Sequence, residues 1–153
     1  MGEEVIAMKV KVKRVDPSLP MPVYQTSGAA GFDIYSREDG VIKPGEVKLF
    51  KANLIIETPK GYALFIIARS SLALKKGLKL INGVAVVDHD YCGDEDEFGL
   101  ILHNFTKKAV KVDRGERIAQ GVFVKVGIAD FVEVKKMKSK SRGGVGSTGG
   151  YKK

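Results

Sequence analysis

The sequence predicts an all-β fold, a sandwich, jelly roll or barrel, with one short helix and a flexible glycine-rich C-terminal tail. Three observations carry this. Short β-branched or aromatic runs recur at roughly even spacing, separated by turn residues. Only "SSLALKKG", residues 70–77, reads as helical. After Met137 the apolar pattern stops, and "KSKSRGGVGSTGGYKK" offers no stripe to any core. The expected organisation is one β domain over residues 1–137 and a detached tail over residues 138–153.

The elements follow in chain order. In "MKVKVKRV", Met8, Val10 and Val12 fall on one face and Lys9, Lys11 and Lys13 on the other, the period of a half-buried strand. "VKLFKANLIIETP" and "YALFIIAR" are strand-like, and Pro59, Lys60 and Gly61 supply the turn between them. Ser70 or Ser71 is placed to cap the helix and Gly77 to end it. "LKLI" and "VAVV" flank Asn82-Gly83, a strong hairpin signal. "LILHNF", "AVKVD", "GVFVKV" and "FVEVKK" continue the strand pattern, with no internal repeat. The glycines of the tail cost too much chain entropy to order alone.

Length and composition bound the function. A chain of 153 residues suits one domain with a proper core, and a 44% hydrophobic fraction excludes a disordered chain. No apolar run reaches transmembrane length, and "MGEEVIAMKV" lacks a basic-then-apolar export pattern, so a cytoplasmic protein without a membrane partner is expected. Cys92 is the single cysteine, which fits a reducing compartment. The net charge of +8 suits either a nucleic-acid binder or a protein that takes small phosphorylated substrates. Basic residues thicken from Lys135 to Arg142, but no aromatic side chains accompany them for base stacking.

The residues that could carry chemistry are few. The tail is not a P-loop, because no Lys directly follows its last Gly and no helix comes after. One Cys and two His residues, His89 and His103, are too few and too ill-spaced for a zinc cluster and read as surface and strand residues. No Gly-x-Ser-x-Gly elbow stands in a strand-to-helix setting. Asp88 is more promising. It emerges from the apolar run "VAVV", where a carboxylate is held rigidly, partly desolvated, and able to take a proton from water. A polar turn of Asp88 and Asp90 is the alternative, and the acidic residues 94–97 read as a solvated loop. In "ARSS", Arg69 offers a planar fork for phosphate oxygens, and Ser70 and Ser71 sit where helix N–H groups are free.

Taken in order, these pieces resemble the homotrimeric dUTP pyrophosphatases (dUTPases), a family with five short motifs. "AGFDIYS" at residues 30–36 resembles the first and "ARSSLALKKGL" at residues 68–78 the second. "NGVAVVDHDYCG" at residues 82–93 resembles the third, "GERIAQ" at residues 115–120 the fourth and "RGGVGSTGG" at residues 142–150 the fifth. The likeness implies a jelly-roll-like β-barrel and a homotrimer with active sites at subunit interfaces. It implies hydrolysis of dUTP to dUMP and pyrophosphate, which keeps uracil out of DNA and supplies dUMP for dTMP synthesis. The tail would be a flap that closes over the nucleotide in a site built mainly by other subunits.

The resemblance also implies roles. Asp88 matches the aspartate that activates water at the α-phosphorus, and Gln120 the glutamine beside it. Arg69, Ser70 and Ser71 match the phosphate-binding triplet. Asn82, Val86 and Val87 lie in the segment that reads uracil through backbone groups, with Gly99 near the base on the returning strand. Tyr91 matches the tyrosine that packs under the deoxyribose and leaves no space for a 2′-hydroxyl. Arg142, Ser147 and Thr148 match the flap's phosphate contacts, and Val145 stands where the family usually stacks a Phe on uracil. Asp33 matches the first-motif acid, linked through water to Mg²⁺ that is held chiefly by the triphosphate. The chain departs from the family pattern at Ala68, Ala85 and Cys92, in a shortened tail motif, and in extra residues around 94–98. Two alternatives stay open: a dCTP deaminase or bifunctional deaminase of the same superfamily, and a non-catalytic nucleic-acid-binding β module with no dUTP turnover.

Overall fold

The structure is a computed structural model and describes residues 7–150. Its strands are β1 (Val12–Arg14), β2 (Phe32–Tyr35), β3 (Gly40–Ile42), β4 (Val47–Lys51), β5 (Leu54–Ile56) and β6 (Tyr62–Ala68). They continue as β7 (Leu78–Leu80), β8 (Ala85–Val87), β9 (Gly99–Asn104), β10 (Val110–Val112) and β11 (Arg117–Lys125). Among the described residues all pairings are antiparallel. They form a four-stranded sheet in the order β2-β11-β6-β8, a three-stranded sheet in the order β4-β9-β7, and the pairs β1-β5 and β10-β3. The expected jelly-roll-like β architecture is present, but among the described residues the ladders do not close into a continuous barrel.

The core sits between these sheets. Alternation places it: Leu100, Leu102 and Asn104 of β9 point inward, as do Leu78 and Leu80 of β7. Phe32, Ile34, Phe50, Leu64, Ile66 and Ile118 join them, all nearly without exposed surface. Asn104 is tolerated there because its polar atoms are satisfied. Its Nδ2 donates to the carbonyls of Ile42 (2.9 Å) and Lys108 (2.7 Å), and its Oδ1 accepts from the backbone and hydroxyl of Thr106.

Four local expectations are revised. Val47 to Ile56 is two strands, broken at Ala52-Asn53, where Asn53 takes a positive φ of 67°. Asn82-Gly83 does turn the chain, with Gly83 at φ 70°, but β7 and β8 do not pair. β7 joins β9 and β8 joins β6, so the turn carries the chain from one sheet to the other. The helix is a single π-turn, Leu72–Lys76, whose cap residue Ser71 makes no side-chain cap bond. Gly77 ends it as expected, at φ 66°. Finally, "FVEVKK" joins no sheet: the last strand ends at Lys125, and the last backbone bond to the body is Val126 N–H to the Gly61 carbonyl.

Candidate active site

The predicted residues gather in two places. The first is the meeting of β2, β6 and β11. The register sets Gln120 opposite both Asp33 and Ile67, and brings Arg69 and Arg117 to the same end. The side chain of Asp33 is buried, and its Oδ2 accepts from Gln25 Nε2 (2.7 Å) and Arg117 Nη1 (3.1 Å). Its Oδ1 faces Arg69 Nε at 3.6 Å. One desolvated carboxylate thus fixes two guanidiniums, both of which keep exposed surface for a ligand. A groove of about 390 Å³ runs from them past Ser71, Lys75 and Lys76. Lys76 is engaged by Glu116 at 2.5 and 2.7 Å, which leaves the Lys75 charge and the two arginines to meet an anion. Ser70 is exposed beside this groove.

Asp33, Arg69 and Gln120 belong to motifs already legible in the sequence. Arg117 and Gln25 were missed, although Arg117 lies within "GERIAQ". Strand register was the signal that would have brought Arg117 beside Asp33.

The second place is a cleft of about 180 Å³ lined by Ile66, Ala85, Val86, Val87, Asp88, Tyr91, Phe98 and Gly99. Asp88 leaves β8 into a turn in which the Tyr91 N–H reaches the Asp88 carbonyl at 3.3 Å. His89 pins that turn through Nδ1 to the Thr58 carbonyl (2.5 Å), a structural task the sequence did not suggest. Asp88 is exposed in this single chain, not partly desolvated as expected. Gly99 lines the cleft, yet a Cβ built on it would meet Leu49 Cδ1 at 3.0 Å, so the glycine answers to that neighbour. Asn82 is exposed in the 81–84 turn and does not line the cleft. Phe98, which the sequence reading did not single out, forms its far wall.

The two places are far apart. Val87 pairs with Leu64, so Asp88 stands level with Ala63, six residues along β6 from Arg69. At roughly 3.3 Å per residue the separation is about 20 Å. Among the described residues the tail joins neither place: Arg142, Val145, Ser147 and Thr148 are exposed, and the backbone bonds there are local, Ser147 N–H to Gly144 and Gly149 N–H to Gly146.

Among the described residues no group of three or more His, Cys, Asp or Glu side chains could hold an ion, and Asp33 is engaged by arginines. This donor set fits an ion carried mainly by a ligand's own phosphate oxygens. Among the described residues no helix is long and apolar enough to cross a membrane.

Comparison with known proteins places the chain in a family. The dUTPase family model matches residues 18–149. A deoxyuridine 5'-triphosphate nucleotidohydrolase of Nautilia profundicola is 42% identical over 93% of this chain and 99% of its own length. The enzyme of the same name from Helicobacter pylori is 41% identical over 93% of this chain and 97% of its own. The crystal structure of dUTPase from Streptococcus mutans superposes with a TM-score of 0.72 at 31% identity, covering 78% of this chain and 98% of that one. With the family matched across both clusters and nearly the whole chain, this protein belongs to the dUTPase family.

Proposed function

We propose that the protein is a dUTP diphosphatase that hydrolyses dUTP to dUMP and pyrophosphate, at sites each assembled from more than one copy of the chain. The observation that carries this reading is the separation of the two clusters along β6. Asp88 and Arg69 must act on one triphosphate, and about 20 Å is more than a triphosphate spans. In this reading a second copy brings the missing half. A trimer is the assembly proposed. In support, Ile128, Phe131, Val132 and Met137 are at least 75% exposed in the single chain, an apolar run that calls for cover.

In the assembled site, Asp88 takes a proton from water as the oxygen attacks the α-phosphorus. The bond to the bridging oxygen breaks, and pyrophosphate leaves. Burial by the partner copy would supply the desolvation that Asp88 lacks alone. Arg69, Ser70 and Ser71 hold phosphate oxygens, with Arg117 beside them, and Gln120 orients the α-phosphate and water. Backbone groups around Val86 and Val87 read the uracil, with Asn82 in the preceding turn and Gly99 opposite. Tyr91 packs under the deoxyribose. The tail, residues 138–153, closes over the nucleotide through Arg142, Ser147 and Thr148, and Val145 covers the base. Residues 1–137 form the remaining domain.

Mg²⁺ is the proposed metal. It would be held by the triphosphate with Asp33 linked indirectly through water, and when bound it neutralises charge on the departing phosphates. No nucleic-acid or membrane partner is proposed, and the location is cytoplasmic.

A proton-release assay with dUTP, dCTP, UTP and dTTP side by side tests the reading. Release with dUTP far above the others is expected. Equal release with all four, or ammonia from dCTP, would overturn it.

A further inference from the structure

The cleft that holds Asp88 and Tyr91 opens between two sheets. One wall is β8, the edge of the four-stranded sheet; the other is Phe98 and Gly99, where β9 of the three-stranded sheet begins. Ladder hydrogen bonds fix each wall within its own sheet. They do not fix the spacing between the walls, since β8 and β9 share no ladder.

Glu97, immediately before Phe98, makes the connection. It is 9% exposed, and its carboxylate receives Arg37 Nε at 2.6 Å and Arg37 Nη2 at 2.9 Å. The same carboxylate accepts the Asn53 N–H at 2.9 Å. Arg37 lies two residues beyond β2, the edge opposite β8 in the four-stranded sheet, and its N–H donates to the Lys51 carbonyl of β4 (2.7 Å). Asn53 lies between β4 and β5. One buried side chain therefore ties the approach to β9 to the segment after the four-stranded sheet's β2 edge and to the turn between β4 and β5. A two-pronged guanidinium–carboxylate contact sets angle as well as distance. Phe98 follows rigidly: its N–H donates to the Leu54 carbonyl (3.0 Å), its carbonyl accepts from Ala52 (2.9 Å), and its ring is buried. The other tie on this loop, Lys13 to Asp94, is exposed on both sides and too weakly held to set a spacing.

We propose that Arg37 and Glu97 are a positioning pair for substrate selection. Through Phe98, the pair holds the far wall of the cleft at one distance from β8 and so limits which nucleoside the cleft admits. Neither side chain lines the cleft itself. The inference rests on the cleft being the nucleoside site.

The test compares wild type, Arg37→Lys, Glu97→Gln and Asp88→Asn. The readouts are kcat and KM for dUTP, kcat/KM for dTTP and UTP, and melting temperature. Arg37→Lys keeps the charge and loses the fork, so it folds most readily of the pair variants. It is expected to raise KM for dUTP more than it lowers kcat, and to shrink the preference for dUTP over dTTP about tenfold, the mark of a binding-geometry defect. Glu97→Gln is expected to do the same more strongly. If Arg37→Lys lowers only the melting temperature and leaves both selectivity ratios as in wild type, the pair is structural and the inference is overturned. Asp88→Asn separates the two levels. Should it retain turnover, the cleft is not the reacting site and the functional reading fails. Should it lose turnover while Arg37→Lys stays selective, only the positioning role fails.

Discussion

Asp88 illustrates how much a single side chain depends on what is brought to it. Its place after "VAVV" and before the His89 turn is fixed by local backbone, and that much could be read from the sequence. Its solvation could not, because the chain alone leaves it exposed. Asp88→Asn is nearly isosteric and cannot take the water's proton. It should bind dUTP and lose turnover by roughly 10²–10⁴-fold, measured by single-turnover hydrolysis. Tyr91 gives a second residue-scale expectation. Its ring lines the cleft with 43% of its surface free, and removing it opens room on the sugar side. Tyr91→Ala should narrow the ratio of kcat/KM for dUTP over UTP, and an unchanged ratio would place sugar selection elsewhere. Arg69, Gln120 and Asp88 could be named as candidates from their motif neighbours, and the structure sets Arg69 and Gln120 in one cluster and Asp88 in the other. Arg117, although inside a motif, and Glu97 meet partners 84 and 60 positions away, and only the strand register and packing reveal those partners.

At the scale of elements, strand content was legible from alternation, and the turn at Asn82-Gly83 from its residue types. Pairing was not. Whether β7 and β8 form a hairpin is decided by β6 and β9, each of which competes for an edge. The same reason explains "FVEVKK", which has strand composition but finds no edge within its own chain. Gly77 is a position where the sequence signal and the packing agree. Its φ of 66° disfavours any side chain, and an added Cβ would run into Thr106 Cγ2. Gly77→Ala should therefore cost about 2 kcal/mol or more, read as a fall in melting temperature. The tail makes the opposite case. Residues 138–150 are exposed throughout, so a chain stopped after Met137 should melt close to the full-length protein without ligand. It should nevertheless lose most dUTP turnover, because the glycine-rich segment is proposed to shut water out of the reacting site. A sharp drop in melting temperature would mean that the tail belongs to the core instead.

The molecule as a whole carries a net charge of +8, which favours encounter with a polyanionic nucleotide at low salt. Its assembly is the larger question. Light scattering is expected to give a trimer at micromolar concentration, and an active monomer would sink the shared-site reading. If the two clusters are indeed joined only across a boundary between copies, a defect in one gene copy is not private to its own product. In a cell making two alleles, a subunit lacking Asp88 and a subunit lacking Arg69 are each dead by themselves. Placed in one mixed assembly, they form some junctions where both faults coincide and others where neither does. Two null alleles would then complement each other, while an allele faulty at both clusters, beside a good one, would silence more sites than its share of the protein. The distance along one strand thereby becomes a rule of inheritance.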